Sequence, residues 1–285
     1  MNKKILVFGG SGFLGLKLLK CLVNLGVKRV SCLDLIDPNL DGVQFIRFDL
    51  INDDIYSLTD CDKSIIINLT GQITNPSNTC FLLNSLGINK LTTLSKESNS
   101  FLIQISTVGV FGTITLAKEE SEKNPETVYS TCKAFAEHGI EISLNEDQFA
   151  IIRLSNLYGF DQQKGIMAYL KRSFLSDREL YFNNDGSLKR AYLNVEDCAR
   201  ILAETITTKI SYLRGAYNFI GNDVFTIKEL VTTLEEISGI KFKANFNDIP
   251  PYDNPLSLSG ERWSDLVGNN YSHSVSDYFK NLCND

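Results

Sequence analysis

A chain of 285 residues with 43% apolar and 22% charged residues has the composition of an ordered globular protein, large enough for one sizeable core and a smaller lobe. Its net charge of −6 argues against the basic surface that nucleic-acid binding requires, so no nucleic-acid partner is expected. The seven cysteines, at 21, 32, 61, 80, 132, 198 and 283, show no CxxC or metal-ligand spacing, which points to free thiols and no metal centre.

After Met1-Asn2-Lys3-Lys4 comes a four-residue apolar run, too short for a signal-peptide core. No stretch approaches the ~18 apolar residues of a membrane span. A cytoplasmic protein without membrane contact is expected.

Apolar runs at Ile5–Phe8, Val30–Leu33, Val43–Phe48, Ser64–Leu69, Phe101–Ile105 and Phe149–Leu154 have strand length and are apolar on both faces, as in a covered parallel sheet. Amphipathic segments at about 12–25, 78–97 and 128–145 separate them. This alternation predicts an α/β, Rossmann-like, doubly wound sheet over residues 1–155. Beyond Asn156 the pattern weakens. A helix is expected around Gly165–Leu175, then a turn at Asn183-Asn184-Asp185-Gly186. Strands are expected at Tyr192–Val195, Tyr217–Ile220 and Phe242–Phe246, with helices at about 196–208 and 226–238. Residues 191–222 are expected to return to the sheet, with 156–190 and 223–285 forming a smaller C-terminal α/β substrate lobe.

Gly9, Gly12 and Gly15, with Phe13 and Leu14 between, form GxxGxxG between a predicted strand and a predicted helix. A tight turn without Cβ atoms there lets backbone N–H groups and a helix N-terminus approach a pyrophosphate. Asp34, nineteen residues past Gly15 at the end of the second strand, suits the adenosine ribose hydroxyls and would repel a 2′-phosphate. NAD(H) is therefore favoured, with NADP(H) possible. Asp49 and Leu50 follow the third strand, where the adenine edge would lie, and Gly71 follows the fourth, where the backbone could approach the cofactor. A solvated carboxylate and a plain strand-end glycine are the alternatives at these positions.

Tyr129 and Lys133 are four apart at the start of a predicted helix, so they share one face. A nearby ammonium lowers the pKa of a phenol towards the range useful for proton transfer. Thr107 ends the fifth strand, where its hydroxyl can bond a substrate oxygen beside that phenol. Together they suit proton transfer at an alcohol or ketone, with a nicotinamide exchanging hydride.

These segments resemble the extended short-chain dehydrogenase/reductases of the nucleotide-sugar epimerase/dehydratase family. Ile105-Ser106-Thr107-Val108-Gly109-Val110-Phe111-Gly112, Arg153–Gly159, Arg190–Asp197 and Ala216–Gly221 are similar to the family's motifs in the same order, to about residue 235. The resemblance implies that Thr107 orients the substrate hydroxyl, Tyr129 is the acid/base and Lys133 binds the nicotinamide ribose. It also implies that Asn84 helps position the cofactor and active site on the substrate side, and that Asn156 and Arg190 contact a nucleotide diphosphate. The partner implied is a nucleotide sugar, and the family often forms homodimers through the helix carrying YxxxK.

Val108 and Gly109 stand where the family's 4,6-dehydratases carry an Asp-Glu pair, which argues against elimination of water. The compact C-terminal lobe resembles that of deoxysugar-pathway reductases, so a nucleotide-sugar 4-ketoreductase is expected first and an NAD-dependent epimerase second. A cofactor-sensing protein without chemistry is a third reading, disfavoured by the intact Thr107, Tyr129 and Lys133. His138 is out of phase with Tyr129, His273 is expected to be structural or solvated, Trp263 a packing anchor, and Lys118–Lys123 a solvated loop.

Overall fold

The computed structural model describes residues 3–71, 75–250 and 255–284. In chain order its strands and helices are β1 (Ile5–Phe8), α1 (Phe13–Asn24), β2 (Val30–Asp34), β3 (Val43–Arg47), β4 (Ile65–Asn68), α2 (Ser77–Asn84), α3 (Leu86–Glu97), β5 (Phe101–Thr107) and α4 (Val128–Ser143). Then follow β6 (Phe149–Leu154), β7 (Asn156–Tyr158), α5 (Ile166–Phe174), β8 (Glu179–Phe182), β9 (Arg190–Asn194), α6 (Val195–Thr208) and β10 (Gly215–Phe219). The chain closes with β11 (Asp223–Phe225), α7 (Ile227–Ser238), β12 (Lys243–Phe246), α8 (Glu261–Val267) and α9 (Val275–Asn284).

Seven strands form one parallel sheet in the order β10-β6-β5-β4-β1-β2-β3. The order reverses next to β1, and in such a sheet ligands bind at the C-terminal strand ends near that switch. The strands are apolar throughout because both faces are covered. One face packs Ile5, Val7, Ile65 and Ile103 against Leu18 and Leu22 of α1 and Leu202 and Ile206 of α6. The other packs Leu6, Ile66 and Leu102 against Ile88 and Leu91 of α3 and Ile140 of α4.

The second half divides as follows. Segment α6 lies on the sheet beside α1, and β10 pairs with β6. By contrast β9 pairs with β7 and β11 in a separate three-stranded sheet, although its residues from 191 onward were expected in the returning segment. A two-stranded sheet, β12-β8, and helices α5, α7 and α9 complete the smaller lobe around Met167, Leu180, Tyr192, Leu230 and Phe279. Trp263 is the anchor expected, 1% exposed and 4.8 Å from Phe219 by ring centroids.

The helix predicted over 78–97 is broken at Ser85, which leaves helical geometry at φ −119° and ψ −77°. There the Ser85 hydroxyl donates to the Phe81 carbonyl, a local bond that competes with helix continuation. No described helix is long and apolar enough to cross a membrane.

Candidate active site

The glycine turn leaves β1 with Gly9 in the left-handed region, φ +78°. A Cβ on Gly15 would lie 2.5 Å from the carbonyl oxygens of Gly9 and Gly10, so only glycine lets α1 start this close to the turn. Helix α1 begins after Gly12 without a side-chain cap. Its first N–H groups therefore lack intrahelical acceptors and face a cavity of about 760 Å³ lined by Gly9, Gly12, Phe13, Leu14 and Gly15. The spacing predicts a pyrophosphate cradle here, and the turn has the backbone geometry that such a cradle requires. Asp34 ends β2 half-buried, accepting from the backbone N–H of Ser11 at 2.9 Å and of Leu35 at 2.7 Å. It braces the glycine loop and keeps lone pairs for a ribose diol, so the residues present fit NAD.

Asp49 and Leu50 do not line this cavity. The Asp49 carboxylate caps its own turn, accepting from Ile51 N, Asn52 N and the Asn52 side chain. Burial pushes its pKa up, but the bonds from Asn52 and Ile51 outweigh that and hold it below the usual range. Leu50 is buried against Gly87, where a Cβ would meet its Cδ2 at 3.0 Å. Gly71 is glycine for a reason the sequence hid. It has φ +74°, and a Cβ would fall 2.5 Å from the Asn84 amide nitrogen. Asn84, expected on the substrate side and to help position the cofactor and active site, packs beneath Gly71. It is buried off the cavity wall and donates to the Cys80 carbonyl at 2.8 Å and the Gly71 carbonyl at 3.3 Å.

Thr107, Tyr129, Asn156 and Arg190 come together on the wall of that one cavity. Thr107 Oγ1 accepts from Gly109 N at 3.1 Å, which fixes the side chain at the end of β5. Thr127 and Ser130 form a reciprocal cap at the start of α4, setting Tyr129 in the first turn. Lys133, one turn on, is 0% exposed, and its ammonium donates to the carbonyls of Thr70 at 3.0 Å and Ile105 at 3.2 Å. Among the described residues these are its two acceptors, so one of its three N–H groups is left over. Burial lowers its pKa to about 8. Asn156 donates to the Ala191 carbonyl at 3.2 Å. The Arg190 guanidinium makes no hydrogen bond or ion pair with a described residue and stays available to an anion.

Beneath Tyr129 and Lys133 lies a buried charge network. Glu137, one turn beyond Lys133, accepts from Ser106 Oγ at 2.6 Å and forms a two-pronged pair with Arg153, both side chains being at most 1% exposed. Burial pushes the Glu137 carboxyl up, but Arg153 and Lys123 outweigh it and hold its pKa below the usual value. The loop at Lys118–Lys123 is therefore not simply solvated. Arg153 donates to the Glu119 carbonyl, and Lys123 bridges Glu137 and Glu141.

Residues that the motifs did not mark also line the cavity. Lys17, one turn past Phe13, pairs with Asp161 and Glu196 at 2.8 Å each. Gln162 and Tyr192 each carry a buried oxygen without a partner among the described residues, and Lys164 opens the turn before α5. Helical phase along α1 could have exposed Lys17, and the two-residue period from Arg190 could have exposed Tyr192. Nothing marks the loop 159–165. His138 is exposed away from the cavity, and His273 lies 3.2 Å from the buried Asp197 carboxylate, a structural tie.

Residues 5–218 match the model of the NAD dependent epimerase/dehydratase family. The chain belongs to that family. No curated protein sequence matches it. Among solved structures, the family fold is shared with a UDP-glucuronic acid 4-epimerase from Bacillus cereus crystallised with UDP-glucuronic acid and NAD, 24% identical, TM-score 0.85, covering 99% of this chain and 98% of that one. A dTDP-glucose 4,6-dehydratase from Bacillus anthracis is 20% identical, with TM-score 0.83 over 99% and 96% of the two chains. A UDP-glucose 4-epimerase from Thermus thermophilus is 21% identical, with TM-score 0.81 over 98% of each.

Proposed function

We propose that this protein is an NAD-dependent nucleotide-sugar 4-epimerase. The observation that carries the reading is the shared cavity, where Thr107 and Tyr129 face the glycine cradle while Val108 and Gly109 supply no acid pair for elimination. The compact C-terminal lobe, which from sequence favoured a 4-ketoreductase, loses that force because the chain spans 98% of the length of two epimerases.

Thr107 holds the sugar hydroxyl, and Tyr129 as phenolate accepts its proton and later returns it. Lys133, a cation below about pH 8, makes that phenolate cheaper to form. Gly9–Gly15 would hold NAD, which when bound would supply reversible hydride exchange at the sugar carbon. Arg190 and Asn156 clamp the substrate diphosphate. Leu69, Ile105, Val108 and Leu154 keep water from the reacting carbon.

The protein pairs with a second copy through α4, whose Val128, Phe135 and Ile142 are exposed large apolar residues seven apart. Denaturing the purified protein and identifying the released nucleotide tests the reading. Stoichiometric NAD and turnover without added cofactor support it, whereas an empty site needing NADH or NADPH for each turnover returns the assignment to a ketoreductase. Tyr129→Phe should lower kcat by roughly 10²–10⁴-fold. Cofactor binding without any oxidation or reduction of nucleotide sugars would instead leave a sensor.

A further inference from the structure

We propose that Asn68 and Gln104, an amide pair inside the main sheet, are positioning residues for Lys133. They fix the two backbone carbonyls that hold its ammonium, and so aim its remaining N–H at the cofactor ribose. The proposal rests on the reading above, which makes Lys133 the partner of Tyr129, and on the ribose contact that the family resemblance implies for it.

Side chains alternate between the two faces of a strand. On the face turned to α3 and α4, β4 shows Ile66 and then Asn68, while β5 shows Leu102, Gln104 and then Ser106. Ile66 and Leu102 belong to the apolar core. Asn68, Gln104 and Ser106 are polar, yet each is at most 2% exposed. Asn68 and Gln104 are direct neighbours across the β4–β5 ladder, flanked by Phe8 of β1 and Ile151 of β6. An apolar pair would fill this position with no polar group to desolvate, so the amides call for a further reason.

That reason is a closed ring of hydrogen bonds. Thr70 donates to Asn68 Oδ1 from its backbone N–H at 3.0 Å and from its hydroxyl at 2.7 Å. Asn68 Nδ2 donates to Gln104 Oε1 at 2.7 Å, and Gln104 Nε2 donates to the Ile105 carbonyl at 2.7 Å. Lys133 closes the ring by donating to that same Ile105 carbonyl and to the carbonyl of Thr70. Turning either amide over would set oxygen against oxygen, so the ring has one orientation. Asn68 thereby anchors the backbone at the exit of β4, and Gln104 anchors the carbonyl at the end of β5.

Lysine carries its charge on a flexible four-carbon stem. A fixed pair of acceptors is what gives its third N–H a direction. Misplacing such a group by about 1 Å can cost about 100-fold in rate.

The test compares the wild type with Gln104→Met, which keeps the side-chain length and removes both of its hydrogen bonds. NAD affinity is measured by calorimetry on nucleotide-free protein, and kcat and KM with UDP-glucose and dTDP-glucose. NAD affinity and kcat should each fall by about 10-fold. The KM should stay within about 2-fold, because Arg190 and Asn156 are untouched. In a Lys133→Met background the same substitution should change neither affinity nor kcat, since its effect passes through the lysine. An equal loss in that background overturns the proposal, as does an unaltered NAD affinity or kcat in Gln104→Met. Should Gln104→Met leave too little folded protein, Asn68→Leu combined with Gln104→Met removes both amides at once, which stability tolerates better, and the same criteria apply. NAD affinity decides the matter even if neither sugar nucleotide turns over, in which case the nucleotide-sugar reading falls alone.

Discussion

Lys17 and Asp161 meet at 2.8 Å across the active-site cavity, 144 positions apart in the chain. Hydrogen bonds to Asp161 and then Glu196 raise the Lys17 pKa above its ordinary value. The pair ties the cofactor helix to the loop that carries Gln162 and Lys164. Lys17→Met should raise the KM for nucleotide sugar several-fold while changing stability by about 1 kcal/mol or less, because Asp161 and Glu196 are largely solvated. Steady-state kinetics beside a thermal melt checks this, and an unchanged KM would show that the tie does not position the loop.

Glu137 and Arg153 are a different kind of pair, fully enclosed beneath the catalytic helix. Glu137→Gln leaves a buried guanidinium short of its partner and should cost about 3–5 kcal/mol in urea unfolding. The Glu137 pKa is depressed in the fold, so its contribution is complete above the unfolded value and disappears as pH falls through the folded one. The variant should accordingly lose stability less steeply in acid than the wild type.

Lys133 has the opposite linkage. Its pKa falls from 10.5 to about 8 on folding. Between those values the native chain has released a proton that the unfolded chain still holds, so this residue makes stability rise with pH across that window. Subtracting the Lys133→Met profile from the wild type should reveal that rise. The rate moves the other way, since Tyr129 loses its cation above about pH 8 and kcat should decline there. A difference profile flat from pH 8 to about 10 would contradict the assignment.

Phe135 is exposed on α4 and lies 6.4 Å from the exposed Phe81 by ring centroids. If this face is covered by a second copy, Phe135→Glu should give monomers in sedimentation while NAD binding persists. A wild type that sediments as a monomer at high concentration would refute the pairing.

The dinucleotide half was legible because its signals are local. Apolar runs such as Ile65–Ile67 need no context to be read as covered strands, and the glycine spacing names its own turn. The short strands β7, β9 and β11 were harder, because three to five residues carry too little periodicity to separate strand from loop. Thr107, Tyr129, Asn156 and Arg190, each marked by a motif, line one cavity. Asp49 caps its own turn and Asn84 braces Gly71, local contacts that a sequence does not distinguish from contacts to a ligand. Lys17 and Asp161 were invisible as a pair, since their meeting depends on how the second half of the chain folds back.

The interleaving of the chain also bears on how the protein is made. Strand β10 completes the edge of the main sheet beside β6, and α6 covers the face that α1 shares. During synthesis the first 155 residues can leave the ribosome with that edge open and part of that apolar face bare. The cofactor half cannot close until Phe219 has emerged. A nascent chain stalled before that point exposes an unpaired strand, so truncated products of this protein are natural clients for chaperones.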